Sequence, residues 1–167
     1  MTRLYEPYSE RNLGRTLPAA VHHIATHAAV LEIVNREACT KFLVRHGETR
    51  QAIEQLSDEQ MSRTLAQNLD SRIPRADLTS PSPLDQALYQ LKAVRDKSIA
   101  HHDRVSAPSL LVPAWLKLVD LIGIANEAVT LVAHAYLSVG YNLADDANRG
   151  AQSLRTLLHR VGLSKKS

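Results

Sequence analysis

Aromatic side chains are scarce in this chain: one Trp, one Phe and five Tyr make up 4% of its 167 residues. A single-strand nucleic-acid platform that stacks successive bases on exposed rings is poorly served by so few, whereas a core filled with Leu, Val, Ile and Ala tolerates the shortage. Cysteine is nearly absent. Cys39 is the only one, so neither an intramolecular disulfide nor a four-cysteine metal site can form within the chain, and a reducing cytoplasmic setting is the simplest expectation. No long hydrophobic run is uninterrupted either. The greasiest stretch, Leu116 to Val139, is broken by Lys117, Asp120, Asn126, Glu127 and His134, which argues against a membrane span and for a buried helix. Charge of one sign is also lacking: 20 basic and 17 acidic residues leave a net charge of +3, spread along the chain. An anionic partner is permitted by that balance but not demanded. Met1 to Asn12 carries Arg3, Glu6, Glu10 and Arg11 and no apolar segment, so no secretory leader is expected there.

What is present fits one globular domain of ordinary composition, with 44% apolar and 22% charged residues. After an extension over residues 1–17, Pro18 opens a helical pattern in which Val21, Ile24, Ala28, Leu31, Val34 and Ala38 recur, predicting one long helix to about Val44. Gly47 is its natural stop, with Arg45 and His46 as cations in the last turn. Ser57 followed by Gln60 predicts a capping box for a second helix with Met61, Leu65 and Leu69 on one face. Prolines 74, 81 and 83 mark the main loop, and Ser82 with Pro83 starts a third helix whose stripe runs Leu84, Leu88, Leu91. A fourth helix is expected from near Pro113 to about Tyr141, apolar on most of its circumference, and a last one after Asp145 or Asp146, ending near Gly162 before a basic tail at 163–167. No segment alternates with period two. The expected fold is therefore all-α, an up-and-down bundle of four to five helices over residues 18–162.

In the third helix the apolar stripe is taken over by Arg95, and the following turns supply Asp96, Ser98, His101, His102 and Asp103. An arginine on that face must meet an anion or a carboxylate, because a buried unpaired guanidinium is prohibitively costly; Asp96, Asp103 or a partner subunit can serve. Around an ideal helix His101 lies roughly 120° from Arg95 and His102 roughly 20° from it, so strict geometry favours His102.

The run Arg95-Asp96-Lys97-Ser98-Ile99-Ala100-His101-His102-Asp103 resembles the signature of the HEPN superfamily, an arginine and a polar residue followed by a histidine four to six positions beyond the arginine, and in particular its abortive-infection branch. The resemblance implies an all-α bundle carrying the motif late in a helix. It also implies a metal-independent endoribonuclease without cofactor, often a homodimer whose two motifs face one cleft, in a toxin or phage-defence role with a possible antitoxin partner. Arg95 and His101 are then the catalytic pair, with His102 as substitute and Asp96 orienting Arg95. The residue types suit that chemistry. Histidine can take a proton from a ribose 2′-hydroxyl near neutral pH, and arginine offers a planar fork to a phosphorane. The products are a 2′,3′-cyclic phosphate and a free 5′-hydroxyl. Members of this family that have lost cleavage act as nucleotide-binding or protein-docking modules, which is the non-enzymatic alternative.

Two other constellations compete. Phe42-Leu43-Val44-Arg45-His46-Gly47-Glu48-Thr49 resembles the phosphohistidine loop of the histidine phosphatases, but that loop should follow a strand and open an α/β domain. His23 and His27 stand four apart on one helical face, and His134 on another long helix offers a third ligand for a metal-binding bundle. The aromatics are expected to serve packing.

Overall fold

The computed structural model describes residues 2–9, 16–96, 115–137 and 139, and these form six α-helices, one short 3-10 turn and no strand. In chain order the 3-10 turn Thr2–Tyr5 precedes α1 (Leu17–His27), α2 (Arg36–Arg45), α3 (Arg50–Glu54), α4 (Asp58–Arg72), α5 (Pro83–Val94) and α6 (Trp115–Leu137). The all-helical expectation holds for the described residues. α1 packs chiefly on α4, while α6 lies against α2 and α5. Their buried faces meet in one core that includes Ile24, Leu43, Ile53, Leu65, Leu88 and Leu121. No helix among the described residues is long and apolar enough to cross a membrane.

Several helix ends follow from local chemistry. Ser57 and Gln60 close the expected capping box on α4: the Gln60 amide donates to Ser57 Oγ at 3.2 Å and the Ser57 amide to Gln60 Oε1 at 2.9 Å. Ser82 caps α5 in front of Pro83, and Leu88 enters the core with Leu84 and Leu91 packed against it. Gly47 ends α2 as expected. Its φ of +102° lets its own amide reach Val44 O and the Glu48 amide reach Leu43 O, the two bonds of a Schellman cap.

The expectation of one helix from Pro18 to Val44 is corrected. α1 stops at His27 and α2 begins at Arg36. Residues 30–34 read Val-Leu-Glu-Ile-Val, rich in β-branched side chains that lose rotamer freedom in a helix. A stronger reason comes from across the fold. The Val34 and Asn35 amides donate to Ala135 O at 2.8 and 3.1 Å, supplying partners to a carbonyl in the last turn of α6 that has none within its own helix. Asn35 then caps α2 by accepting from the Ala38 amide. The five-residue α3, capped by Thr49, is an addition to the expected elements: the threonine that ends the phosphohistidine-like run is a helix cap.

The N-terminal segment expected as an extension supplies Tyr5 to the core. Its hydroxyl donates to Leu121 O, and burial raises its pKa, so the phenol stays a donor. The turn thereby sits against α5 and α1. The expected last helix beyond Asp145 and the tail at 163–167 lie outside the described residues.

Candidate functional site

Arg95 follows the last residue of α5, one turn beyond Leu91 on the apolar stripe. The stripe thus delivers a guanidinium to the edge of the core, and two carboxylates receive it. Nη1 donates to Glu6 Oε1 at 2.8 Å, and Nε donates to Asp96 Oδ1 at 2.8 Å with Nη2 as close to the same oxygen. The hydrogen bonds that Arg95 donates to Asp96 and then to Glu6 raise its pKa further above its ordinary value, so the cation is permanent. Its side chain keeps 27% of its surface exposed, a position from which an incoming anion can be met. The expected contact of Asp96 with Arg95 is present. Glu6 was not foreseen, since 89 positions separate it from Arg95 and nothing local to either announces the pair. His101, His102 and Asp103 lie outside the described residues.

The other arginine and histidine pair occupies a different kind of site. Arg45 is the last residue of α2 and His46 its cap, and both reach Glu127 Oε1, at 3.3 and 3.1 Å. Arg72, at the end of α4, joins them: Nη1 donates to His46 Nδ1 at 2.8 Å and Nη2 to Glu127 Oε2 at 3.1 Å. An arginine can only donate, so Nδ1 is the accepting nitrogen, and the imidazole proton sits on Nε2 and points at Glu127. Phe42 closes one side with its ring 4.4 Å from the imidazole. Burial opposes ionisation of Glu127, but the hydrogen bond from His46, the charge of Arg72 and the bond from Arg45 outweigh it and hold the carboxyl below its ordinary pKa. The result is a clamp that ties the ends of α2 and α4 to the middle of α6.

That geometry disagrees with a phosphohistidine loop. A nucleophilic imidazole needs an open ring nitrogen, whereas both nitrogens of His46 are bonded and its side chain is only 11% exposed. Residues 16–45 hold α1, α2 and the irregular segment between them, so among the described residues no strand stands in front of the motif. Arg72 and Glu127, which complete the clamp, were not singled out as partners; the one visible signal was a carboxylate interrupting the apolar run of α6.

The three-histidine metal site does not assemble. The rings of His23 and His27 lie 4.2 Å apart, and His27 Nδ1 is 3.0 Å from His23 O. His23 lines a cavity with Val132 and Tyr136, while His134 faces the cleft beside Phe42 and Arg45 on another side of α6. Among the described residues no group of three His, Cys, Asp or Glu side chains could hold a metal ion. Compared with family models, with curated proteins and with solved structures, the chain matches none.

Proposed function

We propose that the chain is a HEPN-type, metal-independent endoribonuclease of the toxin or phage-defence kind, acting as a homodimer on RNA. The observation that carries this reading is Arg95: a fixed cation at the end of the α5 stripe, oriented by Asp96 and Glu6 and still partly open to solvent. The all-helical fold of the described residues supports it, because the motif resemblance implies such a fold. In the proposed reaction His101, with His102 as the substitute, takes the proton of the ribose 2′-hydroxyl. The 2′-oxygen attacks the adjacent phosphorus, the bond to the 5′-oxygen breaks, and a protonated imidazole of the partner protomer returns a proton to that leaving oxygen. Arg95 stabilises the negative charge on the phosphorane, which is the step at which a fixed guanidinium is worth most. The products are a 2′,3′-cyclic phosphate and a free 5′-hydroxyl.

One observation favours a second reading. Arg95 already holds two carboxylates, so a phosphate has to compete with them for the guanidinium, and a bundle in which they keep it would be a nucleotide- or protein-docking module. Incubating total RNA with the protein in excess chelator separates the two. Fragments with cyclic ends that disappear in Arg95→Ala and in His101→Ala support the nuclease. Intact RNA at stoichiometric protein overturns it and leaves the docking module.

A further inference from the structure

Beside the Arg95 site, and separate from the clamp, a cleft of about 590 Å³ opens between α1, α4 and the N-terminal segment. Its position follows from the chain. Tyr5 and Pro7, which line it, flank the Glu6 whose carboxylate bonds Arg95, and Lys92 on its rim lies one turn before Arg95 on α5. The volume is that of a small-molecule site rather than of a surface dimple. Val21, Ala66 and Ile73 make an apolar floor. One wall is built of flat rings: the phenol of Tyr8 stacks on the imidazole of His22 at 4.0 Å and 25°, and His22 Nε2 is 3.4 Å from the Thr26 hydroxyl. Tyr8 remains 39% exposed, although its stack on α1 holds it in place. At the rim, the Gln67 amide and the Lys92 ammonium have no side-chain partner among the described residues, while Asp70 is engaged by Arg75 at 3.1 Å.

An apolar floor, one aromatic wall and an amide at the edge match a planar heterocycle with two apolar faces and a polar rim. An ammonium on the cleft's rim, one turn before Arg95 on the chain, matches a phosphate attached to it. We propose that the cleft holds one base of the RNA strand, stacked on Tyr8 and read at its edge by Gln67, with the adjoining phosphate on Lys92 and the next one at Arg95. This subsite rests on the ribonuclease reading for the direction in which the strand leaves. Tyr8 thereby has a binding role as well as the packing role expected of the aromatics. One ring serves one base, so the shortage of aromatics that disfavours a multi-base platform does not count against it. Stacking on a ring accepts any base, whereas an amide carries both a donor and an acceptor and supplies preference.

The test follows the ring resonances of His22 and Tyr8 by NMR while the full chain is titrated with AMP, GMP, CMP or UMP, with ribose 5-phosphate as the probe lacking a base. A short 2′-O-methyl RNA, which has no attacking hydroxyl, provides the strand. The nucleotides and the oligomer should shift both rings while ribose 5-phosphate leaves them in place. Tyr8→Ala should weaken oligomer binding on the order of tenfold, with Tyr8→Phe retaining it. Lys92→Ala should weaken it and flatten its salt dependence. Equal shifts with ribose 5-phosphate, unchanged oligomer affinity in Tyr8→Ala, or nucleotide binding that the oligomer does not compete would each overturn the subsite. Failure of the nuclease reading looks different: unmodified RNA stays intact while the 2′-O-methyl strand still titrates His22. Conversely, Arg95-dependent cleavage at unchanged KM in Tyr8→Ala sinks the subsite and spares the nuclease.

Discussion

Arg45 and Arg95 each stand at a helix end and each reach a carboxylate far away in sequence, yet they are held in opposite ways. Arg45 belongs to a circuit in which His46, Arg72 and Glu127 come from three helices and both ring nitrogens of the histidine are spent. Arg95 is held by its own neighbour Asp96 and by Glu6 on the N-terminal segment, one guanidinium between two carboxylates. The first arrangement joins elements of the core and is costly to open. The second is partly exposed on both sides, and the proposed function requires it to admit a phosphate. An arginine beside a histidine in sequence is thus no guide to chemistry until the partners of both are known.

The largest effects should separate the two regions by what they change. Replacing Arg95 or His101 by Ala should lower RNA cleavage by at least about 100-fold, the scale of losing a transition-state donor or a general base, with thermal unfolding little altered. His46→Ala should leave the cleavage rate at the wild-type level and lower Tm instead. A rate loss in His46→Ala matching that of Arg95→Ala, measured on the same RNA, would move the chemistry to the end of α2 and break the comparison.

Next in size is the removal of Glu127, which strands the Arg72 and His46 donors in a half-buried site. Glu127→Ala should cost about 2 kcal/mol, or about 6 °C in Tm for a chain of this size. The mostly exposed Arg45 should cost about 0.5 kcal/mol on truncation, as a surface ion pair does. Acid sharpens the point. Because the folded state holds the Glu127 carboxyl below its ordinary pKa, its contribution is present above the usual glutamate value of about 4.3 and is lost as pH falls through the lower folded one. Denaturant midpoints of wild type and Glu127→Gln should therefore converge on acidification below about pH 4; a gap that persists there would mean that the carboxylate charge is not what the clamp uses.

Smaller again is the cap that aims His46 at its partners. Gly47→Ala places a Cβ at φ +102° and should cost about 1 kcal/mol in denaturant unfolding, with no effect on RNA cleavage. This end of α2 was legible in the sequence, as were the capping box at Ser57 and the Ser82-Pro83 start of α5, because each is settled by residues within one turn. The break at 28–35 was not, since its cause is a carbonyl of α6 a hundred positions along the chain. The same holds for the sites. Arg95 was visible as a charge that ends an apolar stripe, and Asp96 as its neighbour, but Glu6, Arg72 and Glu127 acquire meaning only when the helices bring them together. The long helix was expected because periodicity continues through Ala28 and Leu31, and periodicity carries no information about which distant group will take the backbone amides.

Another small effect tests the exchange that the nuclease reading needs. If Glu6 is the carboxylate a phosphate displaces, Glu6→Gln removes a competitor while keeping side-chain size and one hydrogen-bonding oxygen. Its side chain is partly exposed, so the pair with Arg95 is of the weak, solvent-screened kind, and its loss should tighten binding of a 2′-O-methyl RNA about threefold with less than about 1 kcal/mol change in stability. Asp96→Asn should act differently, because Asp96 meets the Nε edge of the guanidinium and sets its orientation; it should loosen the site and weaken binding. Equal or weaker RNA affinity in Glu6→Gln, read by fluorescence anisotropy at fixed salt, would mean that the carboxylate assists rather than competes. Arg95 would then be a strut between α5 and the N-terminal turn, the counterpart of the clamp rather than its opposite.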